Sequence, residues 1–202
     1  MKEEAGLPNP RRRFLLGSTL VLGAAAVVGA AVPLVCALRP VKGVAETKPI
    51  VIDLSKLESG QQLVVNWADS PVWVIRRTAS MLAEQEKLTS FLADPWSANS
   101  TQPAYIPASA ARSVRDDVVV VSGVCTHLGC LPRFQALAQP LPPSVGAGQW
   151  CGGFICPCHG SLFDFSGRVY RDMPAPTNLV VPPYFFRGHD QLVIGRSGEG
   201  VA

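Results

Sequence analysis

CTHLGC, residues 125–130, and CPCHGS, residues 156–161, place four of the chain's six cysteines and two of its three histidines in two short boxes. Thiolate and imidazole at such spacing are metal-ligand signals. A structural zinc site is filled by four ligands, commonly two C-x-x-C pairs or one such pair with two histidines. The pattern here is C-x-H-x-x-C followed by C-x-C-H, six donors in matched triplets. One cysteine and one histidine from each box make two thiolates and two imidazoles, with a further cysteine left in each.

Working outward, DDVVVVSGV at 116–124 is a strand running straight into the first box. LFDFSGRVY, after the second box, reads as a hairpin-like stretch around Ser166-Gly167, followed by the proline-bearing turn MPAP at 173–176. NLVVPPYFF and QLVIG are predicted strands joined through Gly188-His189-Asp190. Between the boxes, LPRFQALAQPLPPSVGAGQWCGGFI is rich in Pro and Gly and reads mostly as loop. Upstream, IVIDLSKL alternates apolar and polar residues, and GQQLVVNWADSPVWVIRRT holds two β-rich runs around ADSP, a hairpin signature. ASMLAEQEKLTSFLA at 79–93 is the one clear helical stretch of this part, with Met81, Leu88 and Leu92 near one face and Asp94-Pro95 as its stop. The part from residue 50 to 202 is therefore expected to be mainly β, made of short strands and loops.

The N-terminal segment differs. Phe14 to Leu38 run for 25 residues without a charge. As a helix that is roughly 38 Å, enough to cross a hydrocarbon core of about 30 Å with some tilt. A retained membrane anchor over 14–38 is the preferred reading, because the run is longer than the usual core of a cleaved signal, which is the alternative. Residues 39–49, RPVKGVAETKP, read as a linker that spans about 36 Å extended and about 16 Å as helix. A formal net charge of +3, with no basic stripe interleaved with aromatics, argues against a nucleic-acid partner.

The two boxes resemble the signature boxes of the Rieske iron–sulfur proteins. The fold this implies is an antiparallel Rieske-type β domain with two cluster-binding loops, preceded here by one transmembrane helix and a flexible linker. The resemblance implies a [2Fe–2S] cluster, with Cys125 and Cys156 on one iron and His127 and His159 on the other. It pairs Cys130 with Cys158 as a disulfide, closing a loop of nearly thirty residues worth roughly 3–4 kcal/mol in the chain-entropy model and expected in an oxidising compartment. Ser161 matches the serine whose hydroxyl bonds a cluster sulfide, Leu128 the apolar residue that shields the cluster, and Pro174 to Pro176 the proline loop over its other side, with Met173 where many members have Gly. Phe163 stands where many quinol-oxidising relatives carry a tyrosine, which implies a lower potential. Cys36, Cys151 and His189 fall outside this framework; the two cysteines read as small apolar residues and the histidine as a solvated turn residue.

The arrangement of anchor, tether and cluster domain is similar to the iron–sulfur subunit of ubiquinol–cytochrome c reductase, the cytochrome bc complex, of the proteobacterial type. ALRP, PVWVIRRT and PAPTNLVVPPY carry that likeness, while the inter-box loop is longer than in many members. The resemblance implies a subunit of a quinol-oxidising, proton-translocating enzyme that takes one electron and one proton from ubiquinol at His159. The domain then swings on residues 39–49 to a c-type cytochrome, while the second electron passes through cytochrome b. Arg11-Arg12-x-Phe14-Leu15 resembles the twin-arginine export signal, with Pro10 where Ser or Thr is usual, and places residues 1–13 in the cytoplasm, the anchor in the lipid of the inner membrane and the Rieske domain on the periplasmic side. The small subunit of a molybdenum arsenite oxidase is the alternative, and a Rieske carrier serving an oxygenase a more distant one.

Overall fold

The computed structural model describes residues 9–37, 48–136 and 149–198. The chain divides into two units, residues 1–46 and 47–202. Among its described residues the first holds one helix, α1 (Pro10–Ala37), with no buried residue and Pro33 inside it. Its 28 residues, about 42 Å of helix, make it the one helix among the described residues long and apolar enough to cross a membrane. It takes in Arg11 to Arg13 ahead of the uncharged run. Most of the expected linker, residues 39–47, lies outside the described residues, and so do residues 137–148 of the inter-box loop.

Among its described residues the second unit has nine strands in three antiparallel sheets of three. They are β1 (Ile50–Asp53), β2 (Gln62–Trp67), β3 (Ser70–Arg76), β4 (Val118–Ser122), β5 (Arg133–Gln135), β6 (Gly153–Ile155), β7 (Leu162–Phe163), β8 (Tyr184–Arg187) and β9 (Gln191–Ile194). The sheets are β1-β9-β8, β2-β3-β4 and β5-β6-β7. The hairpin expected at ADSP forms between β2 and β3, with Trp67 opposite Ser70. Its two loop residues, Ala68 and Asp69, both have φ of 55°, the paired positive values of a type I′ turn, whose twist matches that of the strands. The second and third sheets meet through Trp73, stacked on Phe154 at 4.6 Å between ring centres. All four valines of β4 are buried, so this strand, leading into the first box, is central to the core.

Two expectations needed correction. The helix predicted to run on toward Asp94 ends earlier: α2 spans Ala79–Lys87, and a 3-10 turn, Thr89–Phe91, follows. Thr78 caps its start, accepting from Met81 N–H. The reason for the early end is tertiary: Ala93 N–H donates to Val169 O, Arg171 N–H to Phe91 O, and Leu92 bridges Tyr170. Leu92 is thereby drawn out in extended form, though Met81, Leu88 and Leu92 are all buried as expected. The strand predicted over NLVVPPYFF is laddered only from Tyr184, because Pro182 and Pro183 lack the N–H a ladder needs.

Beneath the second box lies a buried polar network. The hairpin turn 164–168 holds Asp164, which accepts from the backbone N–H of Ser166 and Arg168 and from the Arg168 guanidinium at 2.7 Å. Arg112, fully buried, donates to the carbonyls of Ser166, Gly167 and Leu179. Arg77 donates to Ala111 O and to the hydroxyls of Ser166 and Ser113. Burial lowers both Arg77 and Arg112 to about 10, and the charge on Asp164 acts against that shift.

Candidate metal centre

Strand β4 delivers the first box and the end of β6 the second. The two loops share one backbone frame. In the first, Cys125 N–H donates to Cys130 O at 2.8 Å and Gly129 N–H to Cys125 O at 3.0 Å. In the second, Cys156 N–H donates to Ser161 O at 2.8 Å and Gly160 N–H to Cys156 O at 3.0 Å. Each turn needs a left-handed residue before its last position, which is why glycine stands there, with φ of 79° at Gly129 and 74° at Gly160.

This frame brings the expected ligand residues together in two pairs, cysteine with cysteine and histidine with histidine. Cys125 and Cys156 are buried, unpaired by disulfide, and neighbours. Burial pushes the Cys125 thiol up, and the adjacent Cys156 adds to that. The rings of His127 and His159 lie 4.7 Å apart, nearly perpendicular. Cys130 and Cys158 form a disulfide with Cα atoms 6.6 Å apart, tying the loops to each other.

The residues fit an iron–sulfur group. Two buried cysteines stand side by side, neither taken up in a disulfide. His127 Nδ1 is buried without a hydrogen-bond partner, which a metal bond would relieve. Thiolate and imidazole together are the donors such clusters take.

Of the remaining expected residues, Ser161 is fully buried, and its Oγ accepts from Ala175 N–H at 3.0 Å, binding the proline turn to the second box. Pro174 and Pro176 are exposed on either side of the buried Ala175, and Met173 is half-buried against the core. Leu128 stands 69% exposed on the rim. Phe163 is fully buried in β7, opposite Phe154. Cys151 is buried in the smaller apolar cluster and its thiol is pushed up to about 12 by burial. Cys36 and His189 are exposed. Sequence reasoning passed over Thr126, whose hydroxyl donates to Thr177 O at 2.6 Å and latches the first box to the proline turn. The signal was a hydroxyl residue between a cysteine and a histidine at the tip of a turn. It also passed over Arg112.

The Rieske [2Fe-2S] domain family profile matches residues 97–184, which include both boxes and the proline turn. The "Ubiquinol-cytochrome c reductase iron-sulfur subunit" of Allochromatium vinosum is 40% identical over 191 residues, 94% of this chain and 90% of that protein. Proteins of the same name from Blastochloris viridis and Rickettsia felis are 38% and 37% identical, over 95% and 92% of this chain and 94% and 93% of theirs. The chain belongs to this family. It is a Rieske subunit of the cytochrome bc type, an electron-transfer component of the quinol-oxidising enzyme, and its cofactor is a [2Fe–2S] cluster. The family likeness extends beyond the cluster domain to the N-terminal apolar helix, consistent with a single-pass anchor.

Proposed function

We propose that this chain takes electrons singly from ubiquinol, each with a proton, and delivers them to the c-type cytochrome subunit of its complex. The observation that carries this reading is the asymmetry of the imidazoles: His159 is exposed, whereas His127 is half-buried with Nδ1 shut away. Cys125 and Cys156 would hold one iron, and His127 and His159 the other. When bound, the cluster supplies a one-electron store whose potential is raised because neutral imidazoles replace two anionic thiolates.

An imidazole that binds metal through one nitrogen offers the other as a hydrogen-bond group. His159 is the ring that a quinol hydroxyl in a cytochrome b pocket reaches, and it holds the proton released with the electron. Ser161 Oγ accepts from Ala175 N–H and stands beside the Cys125 sulfur, so its hydroxyl is placed to donate to sulfur at the site, which raises the potential. Leu128 and the Pro174–Pro176 turn keep water from opposite sides of the site, one by its exposed apolar side chain and one by its latch to both boxes.

Residues 1–13, with the twin-arginine-like pair, lie in the cytoplasm; residues 14–38 cross the lipid of the inner membrane; residues 39–49 form the hinge; and residues 50–202 work in the periplasm. The uncharged run from Phe14 to Leu38 and the polar, proline-bounded segment after it support this arrangement. A hinge that passes between extended and helical forms shifts the domain by up to roughly 20 Å, carrying it from cytochrome b to the c-type cytochrome. The second electron returns through cytochrome b, so both protons are released outside.

The test is to purify the chain from its native membrane and follow quinol-dependent reduction of the c-type cytochrome, together with the midpoint potential against pH. Co-purified b and c haems and a potential falling by about 59 mV per pH unit in the alkaline range support the reading. A potential flat from pH 6 to about 10 removes the proton role of His159, and a chain purified with molybdenum in place of the haems removes the quinol role.

A further inference from the structure

We propose that, when the Cys130–Cys158 bond is reduced, this chain presents a second metal site: a thiolate triad of Cys130, Cys156 and Cys158 that takes a soft divalent cation of the zinc and cadmium class. The Sγ atoms of these three residues lie within 4.8 Å of one another. Tetrahedral zinc with Zn–S bonds of about 2.3 Å holds its sulfurs roughly 3.8 Å apart, a spacing that Cys130 and Cys158, bonded to each other in the oxidised chain, take up by parting once that bond is cut while both stay near Cys156.

The loops that carry the sulfurs are also held by backbone bonds that do not involve the disulfide: Cys130 O accepts from Cys125 N–H and Cys156 N–H donates to Ser161 O. Exposure is graded across the triad: Cys156 is buried, Cys130 half-buried and Cys158 exposed. An ion therefore has a way in over Cys158, from an open groove lined by Leu131, Pro132 and Pro157. The Cys125 thiol, the neighbour of Cys156, is a fourth sulfur at hand to complete a tetrahedron.

The triad shares Cys156 with the two-thiolate, two-imidazole set, so one chain holds the triad's ion or the cluster and never both. Formation of the disulfide takes two electrons and two protons from the Cys130 and Cys158 thiols, and an external disulfide accepts them and becomes a dithiol. That step leaves Cys156 alone of the three as a ligand. Beyond any mechanical role, the bond removes a competing metal site from beside the iron ligands. The inference stands whether or not the quinol reading holds.

Cadmium is the probe, because its thiolate bonds absorb in the near ultraviolet in proportion to the sulfurs bound. Cluster-free full-length chain in detergent is titrated with Cd²⁺ after phosphine reduction and again after oxidation. Cys125→Ser removes one thiolate of the two-thiolate, two-imidazole set and leaves the triad whole. The reduced Cys125→Ser chain is expected to bind one Cd²⁺ with three-thiolate absorption, at least about 100-fold more tightly than its oxidised form, since two ligands are lost on oxidation. Adding Cys130→Ser is expected to weaken the reduced form by about 10-fold or more. Equal affinity in both redox states overturns the proposal, as does a reduced site that ignores Cys130→Ser. The wild-type chain guards against a misfolded variant: reduced, it must show at least three cadmium-bound thiolates, and a count of two overturns the proposal without any substitution.

Discussion

Arg168→Met tests the buried network beneath the second box. The Asp164 and Arg168 side chains are both fully buried, joined at 2.7 Å. Breaking such a pair by removing one partner costs about 3–5 kcal/mol, because the other charge is left in a medium that cannot solvate it. The structure separates the two halves of the pair. Without Arg168, Asp164 keeps two backbone N–H donors and the attraction of Arg77 and Arg112, which sets the loss near the low end, about 3 kcal/mol. Without its negative charge, in Asp164→Asn, three buried guanidiniums lose the anion they share, which sets the loss near the high end, about 5 kcal/mol. At 2–4 °C per kcal/mol for a domain of this size, the apparent Tm falls by about 6–12 °C for the first variant and about 10–20 °C for the second. The double variant is expected to cost less than the sum by about 2 kcal/mol. Thermal unfolding followed by circular dichroism on the holoprotein provides the numbers, and visible circular dichroism reports whether the site above is disturbed. A larger loss for Arg168→Met than for Asp164→Asn, or strict additivity, refutes the reasoning.

Replacing Cys130 and Cys158 by alanine opens a loop of sequence separation 28, and the chain-entropy relation puts the loss at about 3.6 kcal/mol, read as a lowered denaturation midpoint with the slope also changed. Phe163→Tyr is expected to raise the potential in a redox titration; an unchanged value means the buried hydroxyl finds no ligand sulfur to bond. Thr126→Val removes the 2.6 Å bond to Thr177 O and costs about 1 kcal/mol, and hydrogen exchange at the Ala175 and Asn178 amides is the place to see the turn loosen. The Cys151 thiol, pushed up to about 12, holds its proton in the folded state where an exposed thiol of about 9 has lost it. Its contribution to stability is full below about 9 and disappears as pH rises toward about 12. Cys151 is therefore expected to stay unalkylated in native protein at pH 8, checked by peptide mass.

Much of this architecture is readable before any coordinates, for physical reasons that vary by element. The boxes announce themselves because ligand spacing is short-range and the left-handed turn positions favour glycine. The β2–β3 hairpin is readable because alternation and a two-residue turn are local too. The end of α2 is not: Leu88 and Leu92 keep helical spacing, and only the distant pairing of Leu92 with Tyr170 shows that the period is broken there. Pro182 and Pro183 were legible as ladder breakers, yet the apolar run around them masked the signal. Arg77, Arg112 and Arg168 look like surface charges in sequence, because their partners are mostly backbone carbonyls and hydroxyls that leave no charge pattern; Asp164 four residues before Arg168 was the one clue.

The repeated frame of the two boxes has a consequence for how proton and electron routes are kept apart. Aligned on their bonds, Cys125 corresponds to Cys156, His127 to Cys158, Leu128 to His159, and Cys130 to Ser161. The second histidine therefore occupies the rim place that leucine holds in the first loop, one step further along the same turn. A single-residue slide between two copies of one scaffold turns one ring inward and the other toward the solvent. Engineering that moved the second histidine back one place, to 158, would give up the disulfide and the outward ring together.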